Sequence, residues 1–194
     1  PAGAVLPRVR ALRDVSFATF IMVPGSASAT APGVTAEELF DDGRQLLEAC
    51  AERGLSIGGV MGLRERGLTG AERAEAAMRR VIDVMRAETS APLSCPARSL
   101  GGFIGGEAQL VSAGAERWAG ALMGAVQTDA VARAMAVLER SAAMGVIVAA
   151  PTAGSAGVVP GCVLATAKAL GLDADAIQDA LYAAAAVGLI LTLN

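Results

Sequence analysis

The stretch VAAPTAGSAGVVPG, residues 148–161, interrupts a chain that otherwise shows mainly helical patterns. It is built mostly of Ala, Gly and Val, but it also holds two hydroxyl side chains, Thr152 and Ser155. Proline and glycine break regular structure, so we expect a loop here that leads into a helix. Such a loop either presents its backbone N–H groups to a small ligand or simply joins two buried helices.

The composition of the chain favours a fold made of helices. Hydrophobic residues make up 54% of the 194 residues and aromatic residues only 3%, so the core is packed from small aliphatic side chains. Alanine is the best helix former, and no alternating pattern predicts strands beyond one short run, VSFATFIMV. We therefore predict an all-α fold, with an irregular segment at residues 1–34 and a main helical domain at residues 35–194.

Capping sequences and glycines predict where the first helices begin and end. Thr35 and Thr69 each start a capping box, with a Glu three residues later, and so predict two helix starts. The first of these helices should end at Gly54, and the second should end before Pro92. Between them, Ser56 is expected to open a short helix.

The second half of the chain shows similar helical signals after one glycine-rich segment. That segment, SCPARSLGGFIGGEA, holds two glycine pairs and cannot be regular helix throughout. The predicted helices that follow it cover residues 116–123, 128–144 and 160–170, and a last helix starts at Asp173 or Asp175.

Charge and residue content exclude several classes of function. The net charge is −3, and no basic stripe with interleaved aromatic residues is found, so we expect no nucleic-acid partner. Histidine is absent, which removes the commonest general base and the commonest metal ligand. Three cysteines without CxxC spacing, Cys50, Cys95 and Cys162, indicate buried free thiols in a reducing compartment.

Two apolar segments are similar to targeting or membrane segments. The run at residues 15–23 follows three arginines and precedes PGSASA, as in a signal peptide, but Asp14 at the junction argues against this interpretation. The segment at residues 180–193 is too short to span a bilayer and suits a buried core helix. We expect a soluble, cytoplasmic protein with no membrane partner.

Three segments of the chain resemble one enzyme family, the α subunits of iron–sulfur-dependent L-serine dehydratases. MGVIVAAPTAGSAGVVPG, residues 144–161, resembles the family motif M-G-x-I-V-A-A-P-T-A-G-S-C-G-V-x-P-G. RSLGGFIGGEA, residues 98–108, is similar to R-S-x-S-G-L-x-G-G-D-A, and the last 16 residues are similar to the helix that leads into N-A-S-x-S-G-A-E-x-G-C. The resemblance extends from about Thr35 to Asn194.

This resemblance implies a lyase that acts on a small amino-acid-like substrate. In the family, a [4Fe–4S] cluster activates the hydroxyl of L-serine, and elimination followed by hydrolysis gives pyruvate and ammonia. The motif cysteine that binds the cluster falls on Ala156 here, and further family cysteines would lie beyond Asn194. Because alanine has no lone pair to offer, we expect no metal ligand and no cluster held by this chain alone.

Three explanations of the missing cysteine stay open. The chain is one part of a longer or split protein whose other part supplies the ligands, or it catalyses a related β-elimination or another reaction without a cluster. Alternatively, it is a non-catalytic partner subunit that keeps the fold and stabilises a complex.

The resemblance also implies the site residues. Thr152 and Ser155 are predicted to be catalytic, while Gly154 and Gly157 let backbone N–H groups and the helix N-terminus approach a substrate carboxylate. In the structural alternative, Ser155 only caps the helix and the glycines only turn the chain. The other predicted substrate-binding residues are those of the second motif and the last residue: Arg98, Gly105, Gly106, Glu107 and Asn194.

The last helix also predicts a partner. An exposed face of Ala, Val, Leu and Ile marks an interaction site, so a second subunit, the remainder of a split chain or another copy should cover it. We expect that the segment is not stable as a free monomer.

Overall fold

The computed structural model describes residues 39–96, 98–118, 123–150, 152 and 154–193. These residues form seven α-helices, and no strand occurs among them, so the predicted all-α fold is confirmed. In chain order the helices are α1 Gly43–Arg53, α2 Ile57–Thr69, α3 Ala71–Ser94, α4 Glu107–Trp118, α5 Ala125–Ala142, α6 Ser155–Leu170 and α7 Ala174–Leu193. The predicted segment at residues 1–34, the capping box at Thr35 and Asn194 lie outside the described residues.

Helices α5 and α6 make the most extensive contact between described elements. Two glycines on one face of α6 allow it. A Cβ added at Gly157 would lie 2.7 Å from the carbonyl oxygen of Ala134, and one added at Gly161 would lie 2.7 Å from that of Ala130. The two helices therefore pack with backbone against backbone, and any larger residue at either glycine would push them apart.

Two clusters of buried side chains form the core. One joins α1, α2 and α7 around Val60, Met61 and Tyr182. The other joins α3, α6 and α7 around Ile82, Leu164 and Leu181, and it includes the apolar side chain of Val148 from the irregular segment after α5. Helix α7 contributes side chains to both clusters and so connects them.

Local capping contacts confirm two predicted boundaries and correct the start of α1. Helix α1 ends at Gly54, which has φ 62°, and Ser56 caps α2 by accepting the N–H of Gly59 (2.8 Å). The start of α1 differs from the prediction, because residues 39–42 are not helical. Instead, Asp42 caps α1 by accepting the N–H of Gln45 (2.8 Å).

The boundaries of α3 differ from both predictions. Thr69 does not cap it, because its hydroxyl donates to the carbonyl of Glu65 inside α2 (2.9 Å), and Gly70 with φ 87° separates the two helices. Helix α3 also continues through Pro92 to Ser94. A proline in the last turn removes a single backbone hydrogen bond, and the burial of its ring offsets that loss.

Three later helices begin earlier in the chain than predicted. Helix α4 covers Glu107–Trp118 rather than residues 116–123, helix α5 starts at Ala125, and helix α6 starts at Ser155 rather than near residue 160. The start of α7 is confirmed, since the carboxylate of Asp173 accepts the N–H of Ala176 (2.9 Å).

The surface shows two further differences from the sequence expectations. Cys95 and Cys162 are exposed and Cys50 is half-buried, so the thiols are free but they are not buried. Helix α7 has 20 residues, and its window Ala174–Leu191 is long and apolar enough to cross a membrane by length and composition, with 28% of it buried. Residues 180–193 are thus the end of a longer helix, whose length alone does not exclude a membrane span, although the core helix of a soluble protein passes the same test.

Candidate functional site

Thr152 and Ser155 form a reciprocal pair at the N-terminus of α6. The N–H of Ser155 donates to Oγ1 of Thr152 (3.1 Å), and the N–H of Thr152 donates to Oγ of Ser155 (2.9 Å). This pattern is a capping box. Thr152 is the cap, because the N–H of Ala156 donates to its carbonyl (3.3 Å) and Gly154 already has helical angles. The pair therefore caps the helix, with Thr152 rather than Ser155 as the capping residue. The catalytic role of the pair stays a prediction.

Both hydroxyl protons of this pair are used inside the motif. Thr152 Oγ1 donates to Ser155 Oγ (2.9 Å), and Ser155 Oγ donates to the carbonyl of Thr152 (2.8 Å). Thr152 is nevertheless exposed and Ser155 is half-buried. A ligand can therefore reach both oxygens, and a hydroxyl must turn away from its internal partner to donate to that ligand.

The glycines of the two motifs have different structural surroundings. Gly105 and Gly106 have φ of 143° and 105°, values that favour glycine, and they precede the first turn of α4. Gly154 is exposed at the start of α6, whereas Gly157 is buried against α5. Helix packing alone explains Gly157, and its role in substrate binding stays a prediction.

The second motif places a carboxylate beside its glycine turn. Glu107 is exposed and accepts the N–H of Gly105 (2.7 Å) on Oε2. Its own N–H and that of Gly105 hold the pKa of Glu107 below its ordinary value. A hydrogen bond with the side chain of Glu139 and the positive charge of Arg98 lower the pKa by smaller amounts. Glu107 is therefore an anion at neutral pH, which suits it to accept a hydrogen bond from an ammonium group.

Two buried glutamates, which the sequence analysis missed, hold the motif segments. Glu88 and Glu139 are each 1% exposed. Glu139 accepts the N–H of Ala108 (2.7 Å) and Glu88 accepts the N–H of Val148 (2.9 Å). Burial raises the pKa of Glu88 to about 7, although the bond from Val148 and the charge of Arg140 oppose this shift.

A sequence signal for these glutamates does exist. Glu88 lies three residues after the buried Met85, and Glu139 lies three residues after the buried Ala136. Both therefore occupy the apolar register of their helices. A charged residue at such a position is unusual and calls for a partner in the structure.

Both motif segments lie at the C-terminal end of α5. Ala108 contacts Glu139 in the last turn of α5, and the segment with Thr152 leaves the same end, where Gly145 donates to the carbonyl of Arg140 (2.8 Å). Thr152 follows Val148 by four residues and so lies within about 14 Å of it. Arg98, Gly105 and Glu107 form one group, and Thr152, Gly154 and Ser155 form another.

The described residues do not fit an iron–sulfur cluster. Cluster irons are bound by thiolates, but Cys50, Cys95 and Cys162 lie on or after three different helices. Ala156, at the position of the family cysteine, is buried and carries no donor atom. No group of three or more His, Cys, Asp or Glu that could hold a metal ion occurs among the residues described.

Comparison with known proteins supports the family resemblance. Residues 25–194 match the family described as serine dehydratase alpha chain. The probable L-serine dehydratase alpha chain of Bacillus subtilis (strain 168) is 34% identical over 158 residues, which cover 80% of this chain and 52% of that protein. The L-serine dehydratase alpha chain of Peptoniphilus asaccharolyticus is 27% identical over 162 residues, with 79% and 53% covered.

A third relative matches over a shorter region. The probable L-serine dehydratase alpha chain of Latilactobacillus sakei is 44% identical over 66 residues, which cover 34% of this chain and 32% of that protein. The chain spans about half the length of the first two curated relatives. No solved structure gives a significant match.

Proposed function

Because the chain belongs to the serine dehydratase alpha chain family, we propose that it provides the α-type part of a lyase that acts on L-serine or a similar small amino acid. The observation that carries this proposal is the placement of both motifs at one end of α5. The exposed hydroxyl of Thr152, the half-buried hydroxyl of Ser155, an exposed helix N-terminus and an anionic carboxylate lie on these two segments. These are the groups that an amino acid with a polar side chain requires.

The substrate carboxylate is proposed to bind at the N-terminus of α6. The first N–H groups of a helix carry partial positive charge. Those of Ser155 and Ala156 are bound to Thr152, so the carboxylate is assigned to the N–H of Gly154. Gly154 is exposed there, so a carboxylate can approach its backbone without meeting a side chain. Arg98, also exposed, is proposed as a second, bidentate partner of the carboxylate.

The substrate ammonium group is proposed to bind Glu107. This carboxylate is ionised at neutral pH because backbone N–H groups lower its pKa. An anion of this kind orients an ammonium group but is a poor proton donor. Glu107 is thus assigned a binding role rather than the role of a general acid.

The hydroxyls of Thr152 and Ser155 are proposed to contact the substrate hydroxyl that is lost. In the dehydratase reaction the Cα–H and Cβ–OH bonds break, and water leaves. The resulting enamine rearranges to an imine, which water hydrolyses to pyruvate and ammonia. The described residues bind and orient the substrate in this scheme. Activation of the leaving group is assigned to residues of the complete enzyme outside those described here.

A second candidate function is that of a non-catalytic subunit. It is favoured by Ala156 at the position of the family cysteine and by the internal use of both motif hydroxyls. In that case the capping box only fixes the start of α6. The chain would then keep the fold and stabilise a catalytic partner.

A partner subunit, or the remainder of a split chain, is part of the proposal. The relatives are named alpha chains, and large apolar side chains are exposed in and near the motifs: Leu100 at 86%, Phe103 at 91% and Met144 at 76%. Exposed apolar side chains of this size mark a surface at which another chain binds. A cytoplasmic location is proposed with the metabolic role.

Variants of the hydroxyl pair discriminate the two candidate functions. In the assembled protein, Thr152→Asn keeps a capping oxygen but removes the hydroxyl, and Ser155→Ala removes the second hydroxyl. Lost turnover with unchanged folding supports the enzyme. Unchanged activity of the complex supports the non-catalytic subunit. Ser94→Ala is the matched control, because Ser94 is exposed and its hydroxyl contacts only the carbonyl of Ala91 (3.2 Å) in the described structure.

A further inference from the structure

We propose that Glu88 and Glu139 are positioning residues that fix the two motif segments in place for the reaction, an inference that rests on the proposed function. Each is a buried carboxylate on a different helix, α3 or α5, and each accepts one main-chain N–H from a motif segment. Neither residue is assigned contact with the substrate.

The main-chain groups that they bind lack regular partners. Val148 lies in an irregular segment, so no helix or strand satisfies its N–H. Ala108 lies in the first turn of α4, where N–H groups have no acceptor within the helix. The two carboxylates thus accept these N–H groups, which in the described structure have no capping side chain nearby in the sequence.

Each bond acts directly on predicted site residues. Ala108 follows Glu107 in the chain, so its bond to Glu139 holds the glycine turn against the end of α5 (2.7 Å). Val148 precedes Thr152 by four residues, so its bond to Glu88 holds the path of the chain into the capping box (2.9 Å). Because α3 and α5 pack together, the two segments are bound to one packed pair of helices.

Stability alone does not explain these residues. Burying a carboxylate costs free energy unless hydrogen bonds or an opposite charge compensate it. Oε1 of Glu88 and Oε2 of Glu139 are buried without a hydrogen-bond partner in the described part of the chain. An apolar residue at either position would avoid that cost, so what the carboxylate provides is a fixed acceptor for the N–H group.

The test compares Gln and Leu at each position in the assembled, full protein. Glu88→Gln and Glu139→Gln keep an acceptor oxygen, and we expect them to retain the parent kcat and KM within a few-fold. Glu88→Leu and Glu139→Leu remove the acceptor, and we expect kcat/KM to fall by about 100-fold, the loss that a misplacement of about 1 Å can cause. Glu75→Leu, an exposed glutamate on α3, is the matched control and should leave both constants unchanged.

Amide hydrogen exchange locates the effect. Glu139→Leu should speed exchange at residues 99–110 only, and Glu88→Leu at residues 145–155 only. Uniformly faster exchange would indicate lost global stability and contradict the proposal, as would Gln variants as defective as the Leu variants. In the parent protein, the amides of Ala108 and Val148 should be protected, and this comparison needs no variant. Free exchange at both amides contradicts positioning, whereas absent lyase turnover in the parent contradicts only the proposed function.

Discussion

The buried side chain of Glu88 accepts the N–H of Val148, a residue 60 positions later, at 2.9 Å. The bond ties α3 to the irregular segment that leads into α6. Since Glu88 is 1% exposed, its charge state affects the stability of the fold as well as the position of that segment.

The first prediction concerns pH. Burial raises the pKa of Glu88 from 4.5 to about 7, so the folded state disfavours its ionised form. Below pH 4.5 the group is protonated in both states and costs nothing, whereas above about pH 7 the full cost of its ionisation is present. The free energy of unfolding of the parent should therefore fall as pH rises through this window, relative to Glu88→Gln. Urea unfolding at several pH values measures this free energy for both proteins. The same pH dependence in the parent and in Glu88→Gln would contradict the raised pKa of Glu88.

The second prediction concerns the capping box. Thr152→Ala should lower the free energy of unfolding by about 1 kcal/mol, because it leaves the N–H of Ser155 without its side-chain acceptor. Thr152→Ser should change it little. Chemical denaturation measures both, with Ser94→Ala expected within about 0.5 kcal/mol of the parent. Equal stability of Thr152→Ala and the parent would be inconsistent with the observed hydrogen bonds.

The third prediction concerns the contact between α5 and α6. Gly157→Ala should destabilise the protein by about 1–3 kcal/mol, since the new Cβ has no room beside Ala134 and the helices must separate. Gly67→Ala in α2 is the control, because nothing lies within 4 Å of its added Cβ. That substitution should instead stabilise by up to about 1 kcal/mol. Thermal unfolding measures the stability of both variants. A Gly157→Ala variant more stable than the parent would contradict the close packing of α5 and α6.

Local sequence chemistry predicted some helix boundaries well, but the same local signature can also form a different local bond. Ser56 and Asp173 act through bonds to N–H groups three residues away, so their roles can be found in a short stretch of sequence. Thr69 has the same local signature, but its hydroxyl binds back to Glu65 because α2 extends to this residue.

In the candidate site, the contacts between residues close in sequence could be predicted, whereas the contacts between distant residues could not. The capping pair of Thr152 and Ser155 lies within four residues and could be proposed from the motif. Glu88 and Glu139 act on residues 60 and 31 positions away. Periodicity marks them as buried, but only the packing of the helices shows which N–H group each one binds.

The fourth prediction concerns the cluster. The chain by itself should hold no stoichiometric [4Fe–4S] cluster after anaerobic reconstitution, because Ala156 offers no ligand and the three cysteines lie apart. Iron and sulfide analysis of the purified chain measures this. Stoichiometric iron and sulfide bound to the chain alone would show that its cysteines come together in a way that the described structure does not contain.

Pyruvate formation from L-serine by the assembled protein that contains this chain is the decisive assay of the proposed lyase function. We predict pyruvate and ammonia in equal amounts, with turnover lost in Thr152→Asn and Ser155→Ala and retained in Ser94→Ala, while all variants stay folded. An assembly that forms no 2-oxo acid from L-serine or similar amino acids, or one whose turnover is unchanged by both hydroxyl variants, would contradict the proposed function.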